Sequence, residues 1–106
     1  MTNPEIPDGV TTETVYAVEI SYAPDAAAKR PAVRHEHLTR VARLLREGTL
    51  VEAGGFLDFK SALLIFRVGS EQEAIDIIRD DVYIRSGVWL DDPKARAWAR
   101  VVADGR

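Results

Sequence analysis

No cysteine occurs in the chain. That excludes disulfides, thiolate metal sites and thiol nucleophiles together, and it points to a reducing, cytoplasmic setting. Long apolar runs are missing too. The longest unbroken one is Ala62–Phe66, far short of the roughly 20 residues a membrane-spanning helix requires. The N-terminal dozen residues have no basic segment followed by an apolar one, so no secretory signal and no membrane association are expected. Nor is there an excess of positive charge: 17 acidic residues face 14 basic ones, for a net charge of −3. Eleven of the bases are arginine, scattered among aspartate and glutamate rather than gathered in a block. A nucleic-acid partner is therefore not expected. Neither glycine-rich nucleotide fingerprint is present, and Gly54-Gly55 reads as a turn or bulge rather than a phosphate loop.

What remains is a chain of 106 residues, the length of one domain. Residues 1–12, with Pro4, Pro7 and Asp8-Gly9, read as a flexible N-terminal arm, and 13–106 as a single domain. Thr14–Tyr22 alternates between two faces and is expected to be a strand. A helix is expected from Pro31, placed in its first turn, to Glu47, with Gly48 as its left-handed cap. Leu50–Ala53 and Ser61–Val68 follow as strands. The apolar residues of the second are continuous, so both of its faces should be buried. Ser70 and Glu73 form a capping box ahead of a second helix that ends near Asp80. Lys94–Ala103 has a helical composition yet alternates, and the preceding order calls for a final strand. The expectation is an α+β, ferredoxin-like βαββαβ antiparallel sheet with two helices on one face.

One of the two histidines, His37, falls on the apolar stripe of the first helix, between Val33 and Val41 at i−4 and i+4. A titratable ring there needs a hydrogen-bonding partner or a ligand. His35 lies about 200° away around the same helix, so the two cannot share a metal ion. The site is expected to hold no metal. Asp80 and Asp81 close the second helix, where a carboxylate opposes the helix dipole. Such a locally unfavourable choice points to another duty. A carboxylate bonded to a histidine fixes its tautomer and stabilises its protonated form, as a general acid–base residue requires. Spacing alone does not bring Asp81 to His37. Trp98 shares a strand face with Arg96 and Arg100. That arrangement suits the wall of a pocket for a planar acid, and equally a subunit interface. Glu36 and Arg40 are spaced for a helical ion pair.

Several of these segments, taken in order, resemble the YciI-like (YCII-related) family. They are Val33-Arg34-His35-Glu36-His37-Leu38, Leu45–Leu50, Ala53-Gly54, Asp81–Val88 and Arg96-Ala97-Trp98. The resemblance spans about Thr14–Val102. It implies a ferredoxin-like chain that pairs through its sheet into a dimeric α/β barrel, and a His–Asp pair falling on His37 and Asp81, with the family's arginine at Arg34. Val82 and Ala97 stand where the family has proline, and Val82 should loosen the turn that aims Asp81. Some relatives on this fold are lactone isomerases, and the family includes a dehydrochlorinase of chlorinated hydroxyquinols.

The expected function is cofactor-independent proton transfer on a small aromatic or enol-like acid, by isomerisation or elimination, dehalogenation included. His37 and Asp81 would be catalytic, and Arg34, Arg96, Trp98 and Arg100 would bind the substrate. The alternative is a non-catalytic ligand-binding or accessory dimeric domain. A monooxygenase of the same superfold is a third reading, without an identified oxidisable substrate or haem pocket. The expected partners are a small molecule and a second copy of the chain.

Overall fold

The computed structural model describes residues 5–104. Its elements run β1 (Val10–Ser21), α1 (Ala26–Glu47), β2 (Leu50–Gly55), β3 (Ser61–Phe66), α2 (Glu71–Arg79), α3 (Val82–Arg85) and β4 (Lys94–Ala103). The four strands form one sheet in the order β2-β3-β1-β4, and every neighbouring pair is antiparallel. This is an α+β arrangement that fits the ferredoxin-like βαββαβ order, with the four-residue α3 added between α2 and β4.

Alternation in β1 divides the sheet into two faces. Val18 and Ile20 join Leu44, Leu50, Phe66 and Ile78 in the core beneath the helices. Burying a residue such as Ile78 contributes roughly 2 kcal/mol. Val15 and Ala17 point to the opposite, open face, with Trp98 and Arg96 as their partners in β4. Lys94–Ala103 is a strand because it finds a partner along its whole length, from Glu19↔Lys94 to Val10↔Ala103. Helical composition yields to that ladder.

Three expectations need correction. β1 begins at Val10, so residues 10–12 of the expected arm are strand, held by pairing with 101–103. The first four residues of that arm lie outside the described residues. α1 begins at Ala26, with Pro31 inside it. The carbonyl of Asp25 accepts from Ala28 and Lys29, and the alanines sustain a turn ahead of the proline. Pro31 therefore removes one internal bond, the one to Ala27, without ending the helix. In β3, Leu64, Ile65 and Phe66 are buried, but Leu63 on the open face is 40% exposed.

The caps follow the sequence closely. Gly48 takes the left-handed conformation (φ 81°) and its N–H donates to Leu45 O. Ser70 Oγ accepts from Glu73 N at 3.1 Å, and Glu73 reaches back to the N–H of Gly69 at 2.7 Å. Among the described residues, no helix is long and apolar enough to cross a membrane.

Candidate functional site

His37 is buried on α1, and its Nδ1 lies 2.8 Å from Asp81 Oδ1. Asp81 reaches it because α2 stops at Arg79 and a new turn starts at once. Asp81 N donates to Ile78 O, and the residue then becomes the N-cap of α3. Oδ1 also accepts the N–H of Tyr83 at 2.9 Å, while Oδ2 accepts from Arg40 Nη1 at 3.2 Å. The carboxylate thus caps the following helix rather than opposing the preceding one. Val82, in the place of a proline, leaves this turn closed: Ile84 N and Arg85 N both donate to Asp81 O.

Burial alone would push the Asp81 carboxyl up. The His37 bond, the Tyr83 N–H and the nearby Arg40 guanidinium outweigh it and hold Asp81 below its ordinary value. An ionised carboxylate accepts and cannot donate, so Nδ1 of His37 carries the hydrogen. In the neutral ring, the lone pair is then on Nε2. Among the described residues, only Ser86 Oγ and Trp89 Nε1 are both sealed and unpartnered. His37 Nε2, which has no hydrogen-bond partner among the described residues, therefore keeps access to the adjoining cavity.

That cavity measures about 370 Å³ and opens between α1, the β2–β3 hairpin and the segment after α3. Tyr83 stacks on His37 with centroids 3.6 Å apart, and Trp89 stands edge-on to both rings at 5.1 Å. Trp89 is placed by a bridge to Tyr22 and by the bond from Leu90 N to Ser21 O. Tyr22 packs on Phe59 at 4.7 Å. Phe59 sits in the left-handed region (φ 63°) at the hairpin tip, beneath the Arg30 guanidinium at 4.3 Å. Burial raises the Tyr83 hydroxyl above its ordinary value, against the pull of Arg30 and Arg34.

Arg34 lines the cavity with His37. Arg96, Trp98 and Arg100 do not. They belong to the open sheet face, opposite Ala17, Val15 and Glu13, because alternation in β4 turns Ala95, Ala97, Ala99 and Val101 to the other face. Arg100 donates to Glu13 at 2.7 Å, and Arg67 reaches the same carboxylate. These bonds, Arg67 first, pull the Glu13 carboxyl down to about 2. His35 is exposed. Glu36 pairs with Arg85 rather than Arg40. The sequence reading missed Arg30, Arg40, Tyr22, Phe59 and Trp89 as cavity or anchoring residues. For Arg30 a signal existed, since positions 30, 34, 37 and 41 share one helix face. Among the described residues, no three His, Cys, Asp or Glu side chains converge to hold a metal ion.

The arrangement can accept a proton at Nε2, disperse the resulting charge through Asp81, and hold an anion at the cavity's cationic end. The chain is similar to "Fusaric acid biosynthesis protein 2" of Gibberella fujikuroi, at 32% identity over 93 residues, covering 78% of this chain and 88% of that protein. The protein of the same name from Gibberella moniliformis is 32% identical over 84 residues, covering 70% of this chain and 81% of its own. The model of the YCII-related domain matches residues 14–93, most of the chain and the whole of the cavity lining, and the chain belongs to the YCII-related family.

Proposed function

We propose that the chain is an acid–base enzyme acting on a small aromatic or enol-like acid without a cofactor. His37 Nε2 takes a proton from a carbon next to a carbonyl, and the C–H electron pair moves into an enolate. The proton then returns at another carbon, giving isomerisation, or a leaving group such as halide departs, giving elimination. Asp81 holds the ring's tautomer and stabilises the imidazolium, and Arg34 holds an anionic oxygen of the substrate. The observation that carries this reading is the buried 2.8 Å His37–Asp81 bond beside an open cavity. The relatives named for the biosynthesis of fusaric acid support a role with a small molecule.

A second reading, a non-catalytic ligand-binding or accessory domain, is favoured by one observation. Asp81 already serves as the cap of α3, so its bond to His37 also ties α1 to that turn. A homodimer formed through the open sheet face belongs to either reading. Leu63 and Trp98 are 40% and 49% exposed there, and light scattering should return twice the 11.8 kDa chain mass.

Solvent-deuterium exchange separates the two readings. A panel of 2-oxo and 3-oxo acids in D₂O, followed by proton NMR, should lose C–H signal next to the carbonyl in the presence of the protein. His37→Ala should slow that exchange by about 100-fold or more with an unchanged circular dichroism spectrum. Equal exchange by His37→Ala would sink the catalytic reading, and a melting transition lowered without any exchange activity in the parent would favour the structural one.

A further inference from the structure

The cavity is polarised along α1. Arg30 and Arg34 stand one turn apart at its N-terminal end, and Val41 lies one turn beyond His37. With a rise of 1.5 Å per residue, Arg30 is about 10 Å, Arg34 about 4.5 Å and Val41 about 6 Å from His37 along the axis. Besides Val41, the aliphatic residues of the wall are Leu38, Leu57, Ala53, Ala62 and Leu64. Neither Arg30 nor Arg34 has a carboxylate partner among the described residues. Among the described residues, no Asp or Glu lines the cavity, although the chain carries a net charge of −3. Two uncompensated guanidiniums in a wall without acids are arranged for an anion. Arg30 lies over the face of Phe59, which restrains its plane and leaves its N–H edge free.

We propose that the cavity takes an amphipathic monocarboxylate lying along α1, its head on Arg30 and Arg34 and an apolar tail against Val41 and Leu64. The middle of such a molecule, a few bonds from the carboxylate, comes opposite His37 Nε2. This deepens the proposed function and rests on it for the choice of cavity. Binding itself requires no catalysis.

The test uses sodium butyrate, hexanoate and octanoate as probes, with hexan-1-ol and hexylammonium as controls. Binding is read from the NMR shifts of the Trp89 indole and of the Tyr22 and Tyr83 rings. Affinity should rise about tenfold from butyrate to hexanoate as two methylenes are buried. Hexan-1-ol and hexylammonium should bind far more weakly than hexanoate. Arg30→Gln and Arg34→Gln should each weaken hexanoate about tenfold, the loss of one charge-assisted contact. His37→Ala should retain hexanoate binding. Should hexan-1-ol match hexanoate, or chain length have no effect, the proposal is overturned. The same holds if both arginine variants bind like the parent, or if no carboxylate binds. Retained carboxylate binding with no deuterium exchange would remove the catalytic reading and leave this proposal standing. The reverse result would do the opposite.

Discussion

Tyr83 and His37 are bound to each other twice over. Their rings stack within 10° of parallel, and the Tyr83 N–H and His37 Nδ1 share one acceptor, Oδ1 of Asp81. The aromatic face over the imidazole and the carboxylate at its edge are thus set by residues two apart in one turn. A positive charge on the ring would meet the electron-rich face of the phenol as well as the carboxylate.

Stability should follow the protonation of Asp81. Its folded-state value lies below its ordinary one, so the folded protein binds fewer protons than the unfolded chain in that range. The stability this contributes is present above the unfolded value and is lost as pH falls through the folded one. Thermal melts should be flat in this contribution from pH 7 to about 5 and fall below about pH 4. Asp81→Asn should cost about 3 kcal/mol at pH 7, because it leaves Arg40 facing no charge. It should also flatten the acid limb. An acid limb identical in Asp81→Asn would show that other carboxylates govern it.

Arg40 connects three elements by its fork. Nη1 meets Asp81 Oδ2, and Nη2 donates to Ile77 O at 2.7 Å. Arg40→Met should lower the unfolding free energy by about 1.5–3 kcal/mol, seen as a reduced urea midpoint at constant slope. Arg40→Lys should recover less than half, since an ammonium cannot reproduce the planar fork. Full recovery by lysine would reduce Arg40 to a simple charge.

Gly55 is set by contact rather than by backbone angle. A Cβ there would stand 2.5 Å from the Tyr22 hydroxyl oxygen, and Tyr22 is held between Phe59 and Trp89. Gly55→Ala should cost roughly 1–2 kcal/mol as an overpacked contact. Tyr22→Phe removes the obstructing oxygen. In a double-mutant cycle the pair should therefore show a favourable coupling of about 1 kcal/mol. Additive losses would mean that the Tyr22 ring moves aside freely.

His37 was legible from spacing alone, because a polar ring in an apolar stripe has few explanations. Asp81 was not, because a contact across 44 residues leaves no local trace; its place came from the family resemblance. Reading Asp80-Asp81 as a helix end was half correct, since Asp80 closes α2 while Asp81 opens α3. Glu36 and Arg40 show the limit of local pairing rules. Spacing allows them to meet, yet a buried carboxylate takes Arg40 and leaves Glu36 to Arg85. The β4 arginines stand on the open sheet face, apart from His37, because alternation gives two faces and does not say which one lies under the helices.

The pairing of Val10 with Ala103 carries a consequence for how the chain acquires its shape. The sheet's edge closes only when segments more than ninety residues apart meet, a costly loop closure that short-range contacts must precede. The β2–β3 hairpin and the α2–α3 corner can organise locally, and they hold the greater part of the cavity wall outside α1. Docking of β4 on β1 would then be a late event, and the two ends of the described chain would finish side by side. A short linker joining those ends, with new termini cut at the exposed Leu57, should yield a permuted chain of the same architecture.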